Sequence, residues 1–188
     1  MPTAAAATTI GVAIDIPEPW GTELTERRFA AGDPVAAYIR AHVTLLGPTA
    51  IPSVELPVVA EHLDAVAGGH LPFTLHLRGT GTFRPVTQVV FVAVAAGIGE
   101  CEQLHEAVLA AEPIERLERF PYHPHVTVAH DVAPDALDEV YADLAGFEAS
   151  FPVDGFTLFE HDASGHWRPL RDYSLNGSAR QGTRDQRR

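Results

Sequence analysis

The 188-residue chain contains no lysine, so arginine supplies all 13 of its formal positive charges. Nucleotidyl-lysine ligases, Schiff-base enzymes and proteins with a Walker-type phosphate loop each need a lysine at the reacting centre. The composition therefore excludes these three classes. The formal net charge of −12 also argues against long duplex nucleic acid as a partner, because a protein this acidic repels a polyanion. Small phosphorylated ligands or the ends of single strands fit this charge better.

Cysteine and long apolar runs are also scarce. Cys101 is the single cysteine and cannot form an internal disulfide, which agrees with a reducing compartment. The first nine residues, MPTAAAATT, lack the basic and apolar regions of a signal peptide, and no apolar run approaches the roughly 20 residues of a membrane span. We therefore expect a cytoplasmic, monomeric protein that does not contact the membrane.

The apolar content of 46% is sufficient for one globular domain or two closely packed lobes. Periodicity predicts strands over 10–16, 39–46 and around 73–77, with helices over 18–31 and 55–67. The same order restarts with a strand over 88–95, a helix over 98–112, a strand over 123–130, a helix over 134–146, and closing strands over 151–160 and 167–175. This order predicts an α+β fold with two pseudo-symmetric β-α-β-α-β units, antiparallel-rich sheets around a central cleft, and helices outside. We expect residues 10–175 to form this bilobal domain, between a flexible N-terminus (1–9) and a disordered tail (176–188).

One short pattern occurs in both units. His42-Val43-Thr44-Leu45 and His125-Val126-Thr127-Val128 start 83 residues apart, each on a predicted strand. Because side chains alternate along a strand, histidine and threonine point to one face while the aliphatic residues point to the other. If the two units pack around a pseudo-two-fold axis, the polar faces meet across the cleft.

Two imidazoles and two hydroxyls suit phosphodiester chemistry. A histidine can hold either protonation state near neutral pH, so one ring can deprotonate a nucleophile while the other protonates the leaving oxygen. The threonine hydroxyls can donate hydrogen bonds to the non-bridging phosphate oxygens. We predict His42, Thr44, His125 and Thr127 as the catalytic residues, without a metal or other cofactor.

The segments HVTLLGP (42–48) and FPYHPHVTVAHDV (120–132) resemble the two signature motifs of the two-histidine phosphoesterase superfamily, in particular its 2′-5′ RNA ligase-like branch. The resemblance extends over about residues 10–175 and includes GTFRP (81–85) and TLFEHDASGHWRPL (157–170). It implies hydrolysis of 2′,3′-cyclic phosphates of nucleotides or RNA 3′ ends to 2′-phosphates, with the reverse ligation in some members. It further implies His125 as general base and His42 as general acid, although the near-symmetry of the motifs leaves the opposite assignment open.

Five further residues are candidates for substrate binding. Arg40 and His123 precede the motif histidines by two residues, and strand alternation places them on the same faces. We predict that Arg40 and Arg84 bind phosphate, and that Phe83 and Tyr122 stack on a base. Arg84 would follow a turn over residues 79–82.

Three alternatives remain open from the residues alone. Cys101 and His105 are four residues apart on a predicted helix, the spacing at which side chains meet, so a cysteine nucleophile must be considered. His42, His123, His125 and Asp131 could instead bind a metal in a metal-dependent hydrolase, a scheme that gives the threonines no role. A non-catalytic nucleotide-binding module on the same fold would have no need of the paired histidines.

Overall fold

The computed structural model describes residues 6–115 and 120–177. The strands are β1 Ala7–Asp15, β2 His42–Pro52, β3 Phe73–Thr82, β4 Val89–Ala96, β5 His125–His130, β6 Glu148–Val153, β7 Gly155–His161 and β8 Trp167–Ser174. The α-helices are α1 Trp20–Ala30, α2 Leu56–Gly69, α3 Ile98–Leu109 and α4 Pro134–Asp143. Two 3-10 helices, Pro34–Ala37 and Ser53–Glu55, flank β2.

The strands form two four-stranded antiparallel sheets. The first has the order β2-β1-β7-β8 and the second β5-β4-β3-β6. Each motif strand is thus an edge strand, and β2 and β5 contact each other where the two sheets meet. Helices α2 and α3 pack together, with α3 against β2, while α4 packs on the second sheet. The predicted α+β class with two lobes is confirmed.

The two units exchange strands. The first unit continues from α2 into β3, but β3 pairs with β4 and β6 in the second sheet, and the first sheet is completed by β7 and β8 from the end of the chain. Each sheet therefore contains strands from both halves of the sequence. The element order of the repeat was predicted correctly, whereas this exchange depends on long-range pairing that local periodicity does not reveal.

Some predictions about strands were wrong. The motif strands expected from residues 39 and 123 begin at His42 and His125, so Arg40 and His123 precede them. The single strand expected over 151–160 is two strands, because the chain leaves the second sheet at Val153 and enters the first at Gly155. The expected turn over 79–82 is part of β3. A register shift between Leu77 and Thr80 marks a bulge there, and Gly79 has a φ of 65°, which glycine adopts without strain.

The chain ends differ in part from expectation. Strand β1 begins at Ala7, inside the segment expected to be flexible, and pairs with the end of β2. The amides of Asn176 and Gly177 donate to the carbonyls of Ala67 and His70, so these two residues are bound to the end of α2. The remainder of the predicted tail, 178–188, lies outside the described residues. Within the described ranges, no helix is long and apolar enough to cross a membrane.

Candidate active site

The two motifs follow the predicted alternation. Val43 and Leu45 of β2, like Val126 and Val128 of β5, are fully buried in the hydrophobic core. The histidine and threonine of each motif are only partly buried and lie on the face of the strand that points away from these aliphatic side chains. Because β2 and β5 are the contacting edges, the fold brings His42, Thr44, His125 and Thr127 to the boundary between the sheets.

The same hydrogen bond orients both imidazoles. Nδ1 of His42 lies 2.7 Å from the carbonyl oxygen of Arg40, and Nδ1 of His125 lies 2.7 Å from that of His123. A carbonyl oxygen only accepts, so Nδ1 carries the proton in each neutral ring and Nε2 has the free lone pair. Both Nε2 atoms are therefore suited to exchange protons with a ligand.

Both rings favour the neutral form in the free protein. The pKa of His42 is lowered from 6.5 to about 4, mainly because burial disfavours the charged ring and also because Arg28 and His125 add positive charge. The hydrogen bond to the Arg40 carbonyl partly opposes this decrease. Burial likewise lowers the pKa of His125, with a smaller contribution from His123.

Aromatic rings surround His125. Phe83 meets it edge to face at a centroid distance of 5.0 Å, and Phe91 lies 5.2 Å away. His123 also contacts both phenyl rings. The sequence therefore identified two neighbours of His125, Phe83 and His123, but missed Phe91. Phe91 reaches this position through the pairing of Gly81 in β3 with Phe91 in β4, where a Cβ at Gly81 would lie 2.5 Å from the Phe91 ring, and the sequence does not show this pairing.

The surroundings of His42 are different. Its ring stacks on Trp167 of β8 at 5.8 Å, and Trp167 covers Gly11 of β1 so closely that a Cβ there would lie 2.2 Å from the indole. His42 is one of the residues that line a cavity of about 570 Å³, whose lining also includes Tyr38, Trp167, Asp15 and Asp172. Sequence reasoning missed all four of these residues.

The carboxylates of this cavity are linked. The hydroxyl of Thr157 donates to Asp172 at 2.7 Å. The pKa of Asp15 is raised, chiefly by burial and also by the negative charge of Asp172, while Arg40 lowers it. The cavity beside His42 is therefore rich in hydrogen-bond acceptors, in contrast to the aromatic surroundings of His125.

The two arginines predicted to bind phosphate have protein partners. Arg40 is exposed and forms an ion pair with Glu18, although it also lines the His42 cavity. Arg84 forms an ion pair with Asp138 of α4 at 2.7 Å and contacts the Thr82 hydroxyl. Arg40 thus lies beside the motif histidine, whereas Arg84 is directed toward a helix.

Tyr122 lies between the two lobes. Its ring stacks on His105 of α3 at a centroid distance of 3.8 Å, and its hydroxyl donates to the Thr44 carbonyl at 2.9 Å. One face of the ring is therefore covered by His105, so a base could stack only on the other face.

The geometry disfavours the cysteine alternative. Burial raises the pKa of Cys101 to about 12, so its thiol stays protonated, and Nδ1 of His105 is bound to the Leu45 carbonyl at 2.7 Å. For the metal alternative, the predicted ligand Asp131 pairs with His130 at 3.2 Å. In residues 6–115 and 120–177, no three histidine, cysteine or acidic side chains are grouped closely enough to bind a metal ion.

Paired H-x-T strands at the meeting edges of two antiparallel sheets are the arrangement of a two-histidine phosphoesterase. The chain belongs to the 2′-5′ RNA ligase superfamily, whose family model matches residues 16–165. It is 31% identical to a candidate phosphoesterase of Bacillus licheniformis over 145 residues, which cover 76% of this chain and 85% of that protein. A candidate phosphoesterase of Halalkalibacterium halodurans is 32% identical over 148 residues, covering 76% and 84%.

Solved structures share the fold. A Thermus thermophilus protein superposes with a TM-score of 0.66 at 26% identity, covering 90% of this chain and 98% of that one. Escherichia coli LigT in complex with 3′-AMP gives 0.63 at 22% identity, covering 91% and 99%. The latter likeness concerns the fold alone.

Proposed function

We propose that this protein is a metal-independent phosphodiesterase that opens 2′,3′-cyclic phosphates of nucleotides or RNA 3′ ends to 2′-phosphates. One observation carries the proposal. Two histidines on adjacent edge strands each use Nδ1 to bind a backbone carbonyl, which leaves two Nε2 atoms for one phosphate. Escherichia coli LigT, which shares the fold, has been solved with 3′-AMP, with ATP and with phosphate. These ligands support a nucleotide as the substrate.

The proposed reaction is a displacement at phosphorus. Nε2 of one neutral histidine accepts a proton from water as the water oxygen bonds to phosphorus. The bond from phosphorus to O3′ breaks, and the other histidine, in its charged form, gives a proton to O3′. The hydroxyls of Thr44 and Thr127 donate to the non-bridging oxygens as their charge increases. If a 5′-hydroxyl of RNA replaces water, its oxygen bonds to phosphorus as the bond to O3′ breaks, and the product is a 2′-5′ phosphodiester with a free 3′-hydroxyl.

The unequal surroundings of the histidines favour one assignment of roles. The cavity beside His42 has room for a nucleoside, whereas Phe83, Phe91 and His123 crowd His125. In our proposal the nucleoside occupies that cavity with its O3′ directed at His42. We therefore assign His42 as the general acid and His125 as the base for water. In this arrangement Trp167 can stack on the base, and Arg40 can bind the phosphate after release from Glu18.

The test is turnover of 2′,3′-cyclic nucleotides and of an RNA with a cyclic phosphate end, with products identified as 2′- or 3′-phosphates. His42→Ala and His125→Ala should each lower kcat by roughly 10²–10⁴, and the double variant should lose much less than the product of the two. Thr44→Ala or Thr127→Ala should lose at most about 10²–10³. His130→Ala is the matched control, since this exposed histidine ends β5 and pairs with Asp131.

Three results would overturn the proposal. Near-normal turnover by His42→Ala beside an inactive His125→Ala would show that the motifs do not act together. Loss of activity in EDTA with recovery in zinc would favour the metal-dependent alternative. Binding of cyclic nucleotides without turnover would identify a nucleotide-binding module instead.

A further inference from the structure

Two successive backbone carbonyls of the first motif strand are bound by side chains from elsewhere. The hydroxyl of Tyr122 donates to the Thr44 carbonyl at 2.9 Å, and Nδ1 of His105 lies 2.7 Å from the Leu45 carbonyl. Both contacts fall inside the H-x-T motif and its following residue. They come from residues 78 and 60 positions away in the sequence, so they are tertiary contacts of the motif itself.

The pairing of β2 explains why these carbonyls need such partners. Strand β2 is at the edge of its sheet, so one of its sides has no neighbouring strand in that sheet. The register passes from Ala13–Thr44 to Val12–Leu46 and skips Leu45, which is therefore the extra residue of a bulge. A backbone carbonyl that is withdrawn from water and from the ladder is costly without a donor. Tyr122 and His105 supply donors at the edge and at the bulge.

The two donors act as one unit because their rings stack. The centroids are 3.8 Å apart and the planes differ by 8°. His105 belongs to α3, while Tyr122 lies in the segment that leads into β5, three residues before His125. A single stacked pair thus connects the strand of the first motif to the start of the second.

We propose that Tyr122 and His105 are positioning residues that fix the spacing and alignment of the two motif histidines. The proposal rests on the proposed function, because paired acid and base groups must both reach one phosphate. Displacement of a catalytic group by about 1 Å can cost as much as 10²-fold in rate. A hydrogen bond from Tyr122 to the motif backbone therefore affects the reaction without touching the substrate.

Tyr122→Phe is the most informative variant, since it removes the hydroxyl and keeps the ring that stacks on His105. We expect kcat for a 2′,3′-cyclic nucleotide to fall about tenfold while KM stays within about twofold, because phosphate binding needs less exact alignment than proton transfer. Tyr173→Phe is the matched control: Tyr173 is also a stacked tyrosine, but it is buried on Phe156 in the first sheet. It should leave kcat unchanged.

A second measurement does not depend on turnover. The His42 ring can be titrated by NMR in the free protein. Loosening β2 in Tyr122→Phe should admit water and raise the His42 pKa from about 4 toward 6.5, by about 0.5 or more, whereas Tyr173→Phe should not. His105→Asn, which can still donate to the Leu45 carbonyl, should retain more activity than His105→Leu.

The outcomes separate the two proposals. If the wild type turns over no cyclic phosphate, the proposed function fails and the titration alone decides the positioning role. If Tyr122→Phe matches Tyr173→Phe in kcat and in the His42 titration, the positioning role is refuted. A lower kcat accompanied by a lower melting temperature and an unchanged His42 pKa would also refute it, because those changes together indicate a general structural contact.

Discussion

If His42 donates the proton as proposed, the pH dependence of kcat/KM should differ from that of kcat, because this histidine is mostly neutral when the site is empty. With a pKa of about 4, only about one His42 ring in 10³ carries the proton at pH 7. The pKa of His125 is also lowered, so both apparent values of the free pair lie below 6.5. The value of kcat/KM, which reports the free enzyme, should therefore be highest below pH 6.5 and fall up to tenfold per pH unit above it.

Bound substrate should raise the pKa of His42 and so increase the fraction of this ring that carries a proton. A cyclic phosphodiester carries one negative charge, and at about 4 Å with an effective dielectric constant near 20 it favours a charged imidazole by about 4 kcal/mol. That energy corresponds to an increase of about 3 in the pKa, which would return His42 to about 7 in the complex. We therefore expect the maximum of kcat at least one pH unit above that of kcat/KM.

The assay is a set of initial rates for one 2′,3′-cyclic nucleotide between about pH 4.5 and 9.5, with kcat and KM separated at each point. Thr44→Ala serves as the control, because loss of a phosphate donor should lower both curves without moving their limbs. A value of kcat/KM that stays level or rises between pH 7 and 9 would refute the reasoning, since it would require a proton donor with an ordinary or raised pKa.

Two further predictions concern stability and the Trp167 contact. Below pH 6.5 His42 takes up a proton in the unfolded chain, but in the folded protein it stays neutral down to about pH 4. The free energy of unfolding should therefore decrease as the pH is lowered, by up to about 2 kcal/mol from this group at pH 5. Urea unfolding at pH 7 and pH 5 should show a smaller decrease for His42→Gln than for the wild type, and an equal decrease would contradict the prediction. Gly11→Ala should lower the free energy of unfolding by about 1–3 kcal/mol and shift the tryptophan fluorescence, because the new Cβ would clash with Trp167. Gly47→Ala is the control, because a Cβ at Gly47 would meet no non-neighbouring atom within 4 Å, and it should change neither quantity.

The parts of the site that follow from local geometry could be predicted from the sequence. Strand alternation alone separates His42 and Thr44 from the buried Val43, and the same rule applies in β5. Trp167 could not be found this way, because it reaches the site by crossing β7 to lie over Gly11 of β1. The position of Trp167 depends on which strands pair. The repeat does not determine this pairing, since β3 joins the second sheet while β7 and β8 complete the first.

Predictions about long polar side chains have a different limit. The motifs placed Arg84 and Tyr122 near the site, but their final contacts depend on distant partners: Asp138 on α4 for the arginine, and His105 on α3 for the tyrosine. A flexible side chain pairs with whatever complementary group the tertiary structure brings within reach. The sequence therefore predicts which residues are available near a site better than it predicts what they bind.

Positions 40 and 123 show how the two motifs keep one geometry in different surroundings. Both were predicted to line the cleft through their side chains, but the backbone carbonyl of each is what accepts from Nδ1 of the following motif histidine. A carbonyl is present whatever the residue, so the orientation of the ring places no demand on the side chain. Arg40 can therefore pair with Glu18, and His123 can pack on Phe83 and Phe91, without changing the orientation of either motif histidine. The backbone carbonyls supply the hydrogen bond that is the same in both motifs, so the side chains around the two histidines are free to differ. This difference gives the two histidines unequal surroundings and, in the mechanism we propose, unequal roles.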